Sequence, residues 1–283
     1  MSWVRPPLAA PILSHSALVT PCSQPGSQLA TPSPTKQHIF LGTSGWAYAS
    51  WKPAFYPAGV SAKKFLSFYS TQLNSVEVNY TFRALPTPAM CERWLADTPA
   101  GFLFTFKAPQ RITHFQRLRQ SADALAEFIA ALVPFRAEGK LGLVLFQLPP
   151  NFKADQPRLR DFLAELGRIP QVPLAAFEFR HESWFCDETY ITLRQHGCAL
   201  CIAASDELKT PEVFTANHVA YRLRRTDYSS AELADLARKF KKLSATHNIF
   251  TYFKHLEEPT GALRAVALRA AVSGAQPGAK GVA

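Results

Sequence analysis

The stretch Leu174-Ala175-Ala176-Phe177-Glu178-Phe179-Arg180 joins a short apolar run to alternating aromatic and charged residues. Successive side chains of a β-strand point to opposite faces, so Phe177 and Phe179 share one face and Glu178 and Arg180 share the other. Val76-Glu77-Val78-Asn79 repeats this alternation earlier in the chain. In a parallel barrel such residues alternate between the interior and the outer ring of helices, which places the charged residues inside.

Apolar runs of strand length recur through the chain, and most precede apolar residues at helical spacing. Strands that alternate with helices predict parallel βαβ units, and a single TIM-like (β/α)8 barrel over residues 38–272 accommodates them. An open doubly wound sheet is the alternative, but no GxGxxG or P-loop motif follows any strand. Residues 205–217 contain Pro211 and little helical periodicity, which predicts an irregular or missing helix after the sixth strand. The predicted strands are residues 39–42, 75–80, 102–107, 141–148, 174–179, 199–204, 219–223 and 249–254.

The two ends of the chain differ in composition from its centre. Residues 1–37 are rich in proline and serine without a periodic apolar face, which predicts a disordered extension. An apolar patch follows Arg5, but prolines interrupt it and no clear signal-peptide cleavage site follows. Residues 273–283 are rich in glycine and alanine and predict a flexible tail.

The overall charge and the cysteines limit the environment and the partners. The formal net charge of +10 favours anionic partners such as phosphorylated metabolites or nucleic acid, although dispersed surface charges give the same sum. Cys198 and Cys201 have CxxC spacing, but residues three apart on a strand point to opposite faces. The five cysteines therefore predict reduced thiols and a cytoplasmic location. No apolar run is long enough to span a bilayer, so we expect no membrane association.

Polar and charged residues recur at the predicted strand ends. Active sites of such barrels lie at the carboxyl ends of the strands, and burying charge is costly unless it is paired. Recurrence at equivalent positions therefore favours ligand binding or catalysis over a purely structural network. The set comprises Glu77, Asn79, Lys107, Gln147, Glu178, Arg180, Asp206, Arg222 and Lys254.

The favoured hypothesis is an enzyme or binding protein for a phosphorylated or otherwise anionic small molecule. Its chemistry would be of the hydrolase or isomerase type. Lys107, Arg180, Arg222 and Lys254 would hold the anion. Glu77, Glu178 or Asp206 would supply general acid–base catalysis. Further predicted ligand contacts are Ser44, Trp46, Asn79, His114, Gln147 and Trp184.

Three alternatives use the same residues differently. Glu77, Glu178, Asp206 and His181 or His255 are suitable ligand types for a divalent metal, but the interleaved cations would repel one, so we expect no cofactor. Nucleic-acid binding would use Trp46, Trp51, Tyr56 and Trp184 as exposed stacking surfaces beside the cations. Paired glutamates also occur in glycosidases, although nearby cations suit a neutral sugar poorly. The oligomeric state stays open.

Several ordered motifs resemble the YecE-like family, a widespread family of unknown function. They include Gly42-Thr43-Ser44-Gly45-Trp46, Phe104-Thr105-Phe106-Lys107-Ala108-Pro109, Leu145-Phe146-Gln147-Leu148-Pro149-Pro150 and Tyr252-Phe253-Lys254-His255. The resemblance covers residues 38–271 and implies a TIM-like barrel, without an established substrate. Many members carry Arg-Leu-His-Gly on the seventh strand, whereas this chain has Arg222-Leu223-Arg224-Arg225, which makes the mouth more basic.

Overall fold

A computed structural model describes residues 39–206, 208–254 and 258–274. It contains eight parallel strands that follow one another around a barrel from β2 to β8 and then to β1. This arrangement confirms the predicted TIM-like barrel. The predicted extension, residues 1–37, lies outside the described residues, as do most of the tail and His255. The strands are β1 (Ile39–Thr43), β2 (Ser75–Val78), β3 (Leu103–Lys107), β4 (Leu141–Gln147), β5 (Leu174–Glu178), β6 (Ala199–Ala204), β7 (His218–Leu223) and β8 (Asn248–Phe253).

Helices follow the strands and form the outer layer. Capping residues fix several starts: Ser229 and Glu232 form a reciprocal capping box, and Asp155 caps another helix by accepting from Arg158 N. No helix occurs between β6 and β7 in the described residues 205–206 and 208–217, as the sequence predicts. The helices are α1 (Phe65–Gln72), α2 (Pro88–Ala96), α3 (Ala122–Ala131), α4 (Val133–Ala137), α5 (Gln156–Gly167), α6 (Asp187–Gln195), α7 (Ser230–Leu243) and α8 (Thr260–Ser273).

Two apolar layers hold the barrel together. Outward-facing phenylalanines of the strands pack under the helices; Phe146, for example, lies 5.1 Å from Phe162 of α5 and 5.0 Å from Phe177, measured between ring centroids. A smaller cluster, which includes Leu145, Cys201 and Phe250, fills the barrel interior. The predicted strand parity is therefore confirmed for β5, where Phe177 packs outward and Glu178 points inward.

Side chains close the barrel between β1 and β2. The Asn74 side chain accepts from Leu41 N and donates to Ile39 O. The Tyr69 hydroxyl accepts from Thr43 N and donates to Ser75 O. The strands come so close that a Cβ at Gly42 would lie 2.0 Å from Ser75 O. Closure here therefore needs glycine on β1 and polar side chains that replace a continuous backbone ladder.

No helix among the described residues is long and apolar enough to cross a membrane. Cys91, Cys186, Cys198 and Cys201 are unpaired cysteines, and Cys198 and Cys201 are buried. Burial raises the pKa of the Cys198 thiol to about 12. The Cys198 and Cys201 thiols, whose pKa values burial raises, therefore stay protonated and pack as small apolar groups.

Candidate functional site

Two glutamates and an arginine form a buried network at the carboxyl ends of the strands. Arg222 donates from Nε and Nη2 to the two oxygens of Glu77, at 2.9 and 2.7 Å. Its Nη1 donates to Oε2 of Glu178 at 2.5 Å. All three side chains are at most 3% exposed. We call Glu77, Glu178 and Arg222 the mouth triad.

Electrostatics hold the mouth triad in its charged form. Burial alone would raise the pKa of Glu178, but Arg222 and Arg224 and hydrogen bonds from Arg222 and Gln147 lower it below its usual value. Gln147 Nε2 donates to Glu178 Oε1 at 2.9 Å, so both oxygens of this carboxylate are occupied. Burial also opposes the charge of Arg222, yet the two glutamates raise its pKa. The triad is thus a satisfied ion network with one excess negative charge.

Five cations without an ion-pair partner among the described residues line the cavities beside the mouth triad; one is the exposed Arg83 in the turn after β2, and the other four lie at the ends of strands or just beyond them. Arg224, two residues beyond Arg222 on the same strand face, is half-buried, as is Lys107. Arg180 and Lys254 are exposed. Lys107 Nζ lies over the Phe82 ring, 4.0 Å from its centroid. The mouth triad cannot neutralise these cations fully because its two carboxylates and one guanidinium leave a single excess negative charge. We call Lys107, Arg180, Arg224 and Lys254 the mouth cations.

The mouth cations border two adjoining cavities. The first lobe, about 300 Å³, is lined by Ser44, Asn79, Lys107 and Gln147 from the ends of the first four strands. The second lobe, about 290 Å³, lies over β5 and β6. Three mouth cations, Arg180, Arg224 and Lys254, line both lobes. A ligand in either lobe would therefore contact the same positive side chains.

The second lobe also presents polar groups. Asp206 is exposed, and its Oδ2 accepts from Thr226 N and Oγ1 at 3.1 and 2.8 Å. These hydrogen bonds lower the pKa of Asp206. Thr210 Oγ1 is buried and has no hydrogen-bond partner among the described residues. A buried polar atom without a partner is costly and indicates a position that a ligand or water completes.

The structure brings most of the predicted site residues to the mouth, but Arg222 has a different environment from the one expected. The sequence assigned Arg222 to the anion and Glu77 and Glu178 to acid–base catalysis, whereas these three residues bind each other. Strand parity predicted their shared interior, but it does not reveal how far each side chain reaches across it. Ser44 and Asn79 line the first lobe, and their role as ligand contacts stays a prediction.

Three predicted aromatic contacts lie elsewhere. Trp184 is fully buried, stacks on Phe179 and donates from Nε1 to Phe152 O at 2.8 Å, so it lines neither lobe. Trp51 and Tyr56 are also fully buried, which makes the expectation of exposed stacking surfaces wrong for these three residues. Trp46 is half-buried and packs edge-on against Trp94. The aromatic residues of these motifs complete the outer core.

His114 lies in a π-helical turn, Arg111–Phe115, that follows β3. Its ring packs edge-on against Phe82, at 4.9 Å between centroids, and its Nδ1 is 2.9 Å from Thr113 Oγ1. Burial and the nearby charges of Lys107 and Arg180 lower the pKa of His114. The imidazole is therefore neutral at pH 7, next to the ring that Lys107 covers.

The predicted ligand contacts left out three residues of the first lobe. Phe82 and Arg83 follow β2 in a short helical turn, and Arg224 follows β7. The sequence already placed Arg224 on the strand face of Arg222 at the barrel mouth, but assigned it no ligand contact. Phe82 and Arg83 give no such signal, since their place depends on the turn after Asn79.

Among the described residues, no group of three or more His, Cys, Asp and Glu side chains lies together in a way that could hold a metal ion. Of the predicted metal ligands, Glu77 and Glu178 bind Arg222. His181 Nδ1 instead lies 2.9 Å from Ser183 Oγ. His255 lies outside the described part of the chain.

Comparisons with known proteins agree on a family. A family model described as "Protein of unknown function DUF72" matches residues 40–281. The UPF0759 protein YunF of Bacillus subtilis is 34% identical over 159 residues, which cover 54% of each chain. The UPF0759 protein YecE of Escherichia coli K12 is 32% identical over 148 residues, 52% of this chain and 50% of that protein. The chain thus spans about half the length of the curated relatives it matches.

A solved structure shares the barrel. The crystal structure of a DUF72 family protein from Thermotoga maritima superposes with a TM-score of 0.73 and 25% sequence identity. The superposition covers 83% of this chain and 99% of that one. The likeness therefore extends over nearly the whole of that protein.

Proposed function

The chain belongs to the DUF72 family of proteins of unknown function, and from that premise we propose that its barrel mouth binds a phosphorylated or otherwise anionic small molecule. The observation that carries the proposal is the set of mouth cations, which have no ion-pair partner among the described residues. Cations gathered around a cavity without carboxylate partners repel one another, and an anionic ligand relieves that repulsion.

The shape of the mouth supports a small ligand. Each lobe, at about 290 or 300 Å³, is at the small end of the range for metabolite sites. Arg180 and Arg224 offer the planar donor pairs that suit phosphate and carboxylate groups. Because both residues line both lobes, the anionic group would lie between the lobes and the rest of the ligand in one of them.

We extend the proposal to acid–base chemistry of the hydrolase or isomerase type. Of the three predicted carboxylates, Asp206 is the one that lines a lobe without binding an arginine. Its lowered pKa keeps it ionised at neutral pH, as a general base or an acceptor for a ligand hydroxyl. The Thr210 hydroxyl in the same lobe offers a further polar contact. Glu77 and Glu178 then hold Arg222 in place and moderate the positive charge of the mouth.

Calorimetric titration with pyrophosphate tests the binding proposal. We expect saturable binding at low salt that weakens about 10-fold or more in Arg224→Gln, because one charge-assisted contact contributes about 1.5–3 kcal/mol. Arg238→Gln is the matched control: it removes the same charge from an exposed position on α7, where Arg238 pairs with Asp235. Equal affinity in Arg224→Gln and the wild type, or no binding at all, would contradict the proposal.

The same titration separates the nucleic-acid alternative. A single-stranded oligonucleotide that bound more tightly than pyrophosphate, with a steep dependence on salt, would favour a nucleic-acid surface over a small-molecule site. The burial of Trp51, Tyr56 and Trp184 removes three of the four stacking surfaces that this alternative would use, and Trp46 is half-buried.

A further inference from the structure

Lys107 differs from the other mouth cations in its surroundings. It is the last residue of β3, it is half-buried, and it lines the first lobe with Arg222 and Arg224. Its Nζ lies over the Phe82 ring, 4.0 Å from the centroid, so the ring shields one side of the amine from water, although its π face by itself favours the protonated form. No carboxylate among the described residues forms an ion pair with it.

This environment disfavours the protonated amine. Burial and the adjacent Arg222 lower the pKa of Lys107 to about 8, and Arg224 acts in the same direction. Glu77 and Glu178 act against the shift, but their oxygens are occupied by Arg222 and Gln147. A lysine that is desolvated beside other cations has an appreciable fraction of its amine unprotonated near neutral pH, which is the nucleophilic form.

We propose that Lys107 is a nucleophilic amine that forms an imine with the carbonyl carbon of an anionic aldehyde or ketone held in the first lobe. The geometry supports this assignment because Lys107 faces the lobe beside Arg180, Arg224 and Lys254. Those three residues would hold the anionic group while Nζ reaches the carbonyl. The inference rests on the proposed function, since the anion site orients the carbonyl group.

The chemistry balances within the mouth. The unprotonated Nζ donates its lone pair to the carbonyl carbon, the C=O π bond breaks, and one proton passes from the nitrogen to the oxygen to give a neutral carbinolamine. Loss of the hydroxyl as water and of a proton from nitrogen leaves the C=N bond, so amine and carbonyl become imine and water. The neutral His114 packs on the same Phe82 ring and is suited to carry these protons. A protonated imine then withdraws electrons from the bond next to it, which assists proton transfer or bond cleavage there.

Pyridoxal 5′-phosphate is the probe, since it combines an aldehyde with a phosphate group. The full chain is incubated with it, the imine is reduced with borohydride, and the labelled residue is identified by peptide mass mapping. We expect one label per chain, on Lys107, and we expect pyrophosphate to block it. Lys107→Arg should lose the label while still binding pyrophosphate. Lys241→Arg, at an exposed position on α7, should label as the wild type does.

The outcomes distinguish the two proposals. A wild-type chain that binds pyrophosphate but carries no label on Lys107 would overturn the nucleophile and leave the anion site intact. Labelling of Lys107→Arg to the same extent as the wild type would do the same. A label on Lys107 that pyrophosphate fails to block would overturn the anion site, and with it the anionic class of the substrate. Mapping on the wild-type chain gives this answer even if Lys107→Arg fails to fold.

Discussion

Glu178 belongs both to the buried ion network and to the proposed ligand site, because it pairs with Arg222 and lines the second lobe. Its lowered pKa means that the folded protein favours the ionised carboxylate more than the unfolded chain does. Such a group stabilises the fold at pH values above its unfolded pKa, and the stabilisation is lost as the pH falls through the folded value. The decrease in the free energy of unfolding at acid pH should therefore depend on this residue.

We predict that Glu178→Gln lowers the free energy of unfolding at pH 7 by about 3–5 kcal/mol, the usual cost of breaking a buried ion pair. The difference from the wild type should shrink as the pH falls from the ordinary glutamate value to the lowered folded value, because the unfolded wild-type chain takes up a proton at Glu178 before the folded protein does. Urea unfolding at a series of pH values measures both effects. Glu127→Gln, at an exposed position on α3, is the control, and a wild-type profile in Glu178→Gln would refute the prediction.

At the residue scale, the sequence predicts which side chains face the barrel interior but not their partners. Period-two alternation places Glu77, Glu178 and Arg222 inside, and the structure agrees. Which of Arg222 and Arg224 lies deeper depends on strand tilt and depth, which no local pattern encodes. The sequence interpretation therefore assigned the anion to Arg222, although its donors are occupied, and left the half-buried Arg224 out of the site.

At the element scale, the joint between β1 and β2 decides whether the mouth can form. Ser44 forms an isolated bridge with Glu77, and Gly45 N donates to Glu77 O at 2.8 Å. The same joint therefore holds the backbone of a mouth-triad residue. Gly42 allows the two strands to approach, since any Cβ there would meet the Ser75 carbonyl.

We predict that Gly42→Ala destabilises the protein by about 3 kcal/mol or more, because β1 and β2 must separate to accommodate the methyl group. Chemical denaturation measures the loss. Gly167→Ala is the matched control: a Cβ there meets nothing within 4 Å, and the glycine lies at the end of α5. We expect that control to be neutral or slightly stabilising. Equal stability of Gly42→Ala and Gly167→Ala would show that the close approach is not required.

Element order was more predictable than barrel closure. Every predicted strand overlaps an observed one to within about two residues at each end, because short apolar runs between turn residues are strong local signals. The missing helix after β6 was also predictable, from Pro211 and the lack of helical periodicity. Closure by Asn74 and Tyr69 was not, because it depends on contacts between residues more than 25 positions apart.

For the whole molecule, the formal charge of +10 does not by itself identify a partner. Some basic residues pair with acidic ones on the surface, as Arg160 does with Glu188 and Lys239 with Glu212. Among the basic residues of the described chain that lack such partners, the mouth cations are distinguished by a common cavity that they border. The family comparison supports the barrel fold and names no ligand. The proposal of an anionic ligand therefore rests on the distribution of charge at the barrel mouth.

The most direct test of that argument is to locate a bound anion. Crystals of the full chain grown with selenate, a phosphate-like anion, would give anomalous difference peaks at selenium. We predict a peak within hydrogen-bond distance of the Arg224 guanidinium and of Arg180 or Lys107, and its loss in Arg224→Gln. Peaks confined to surface lysines, with none between the mouth cations, would contradict the account.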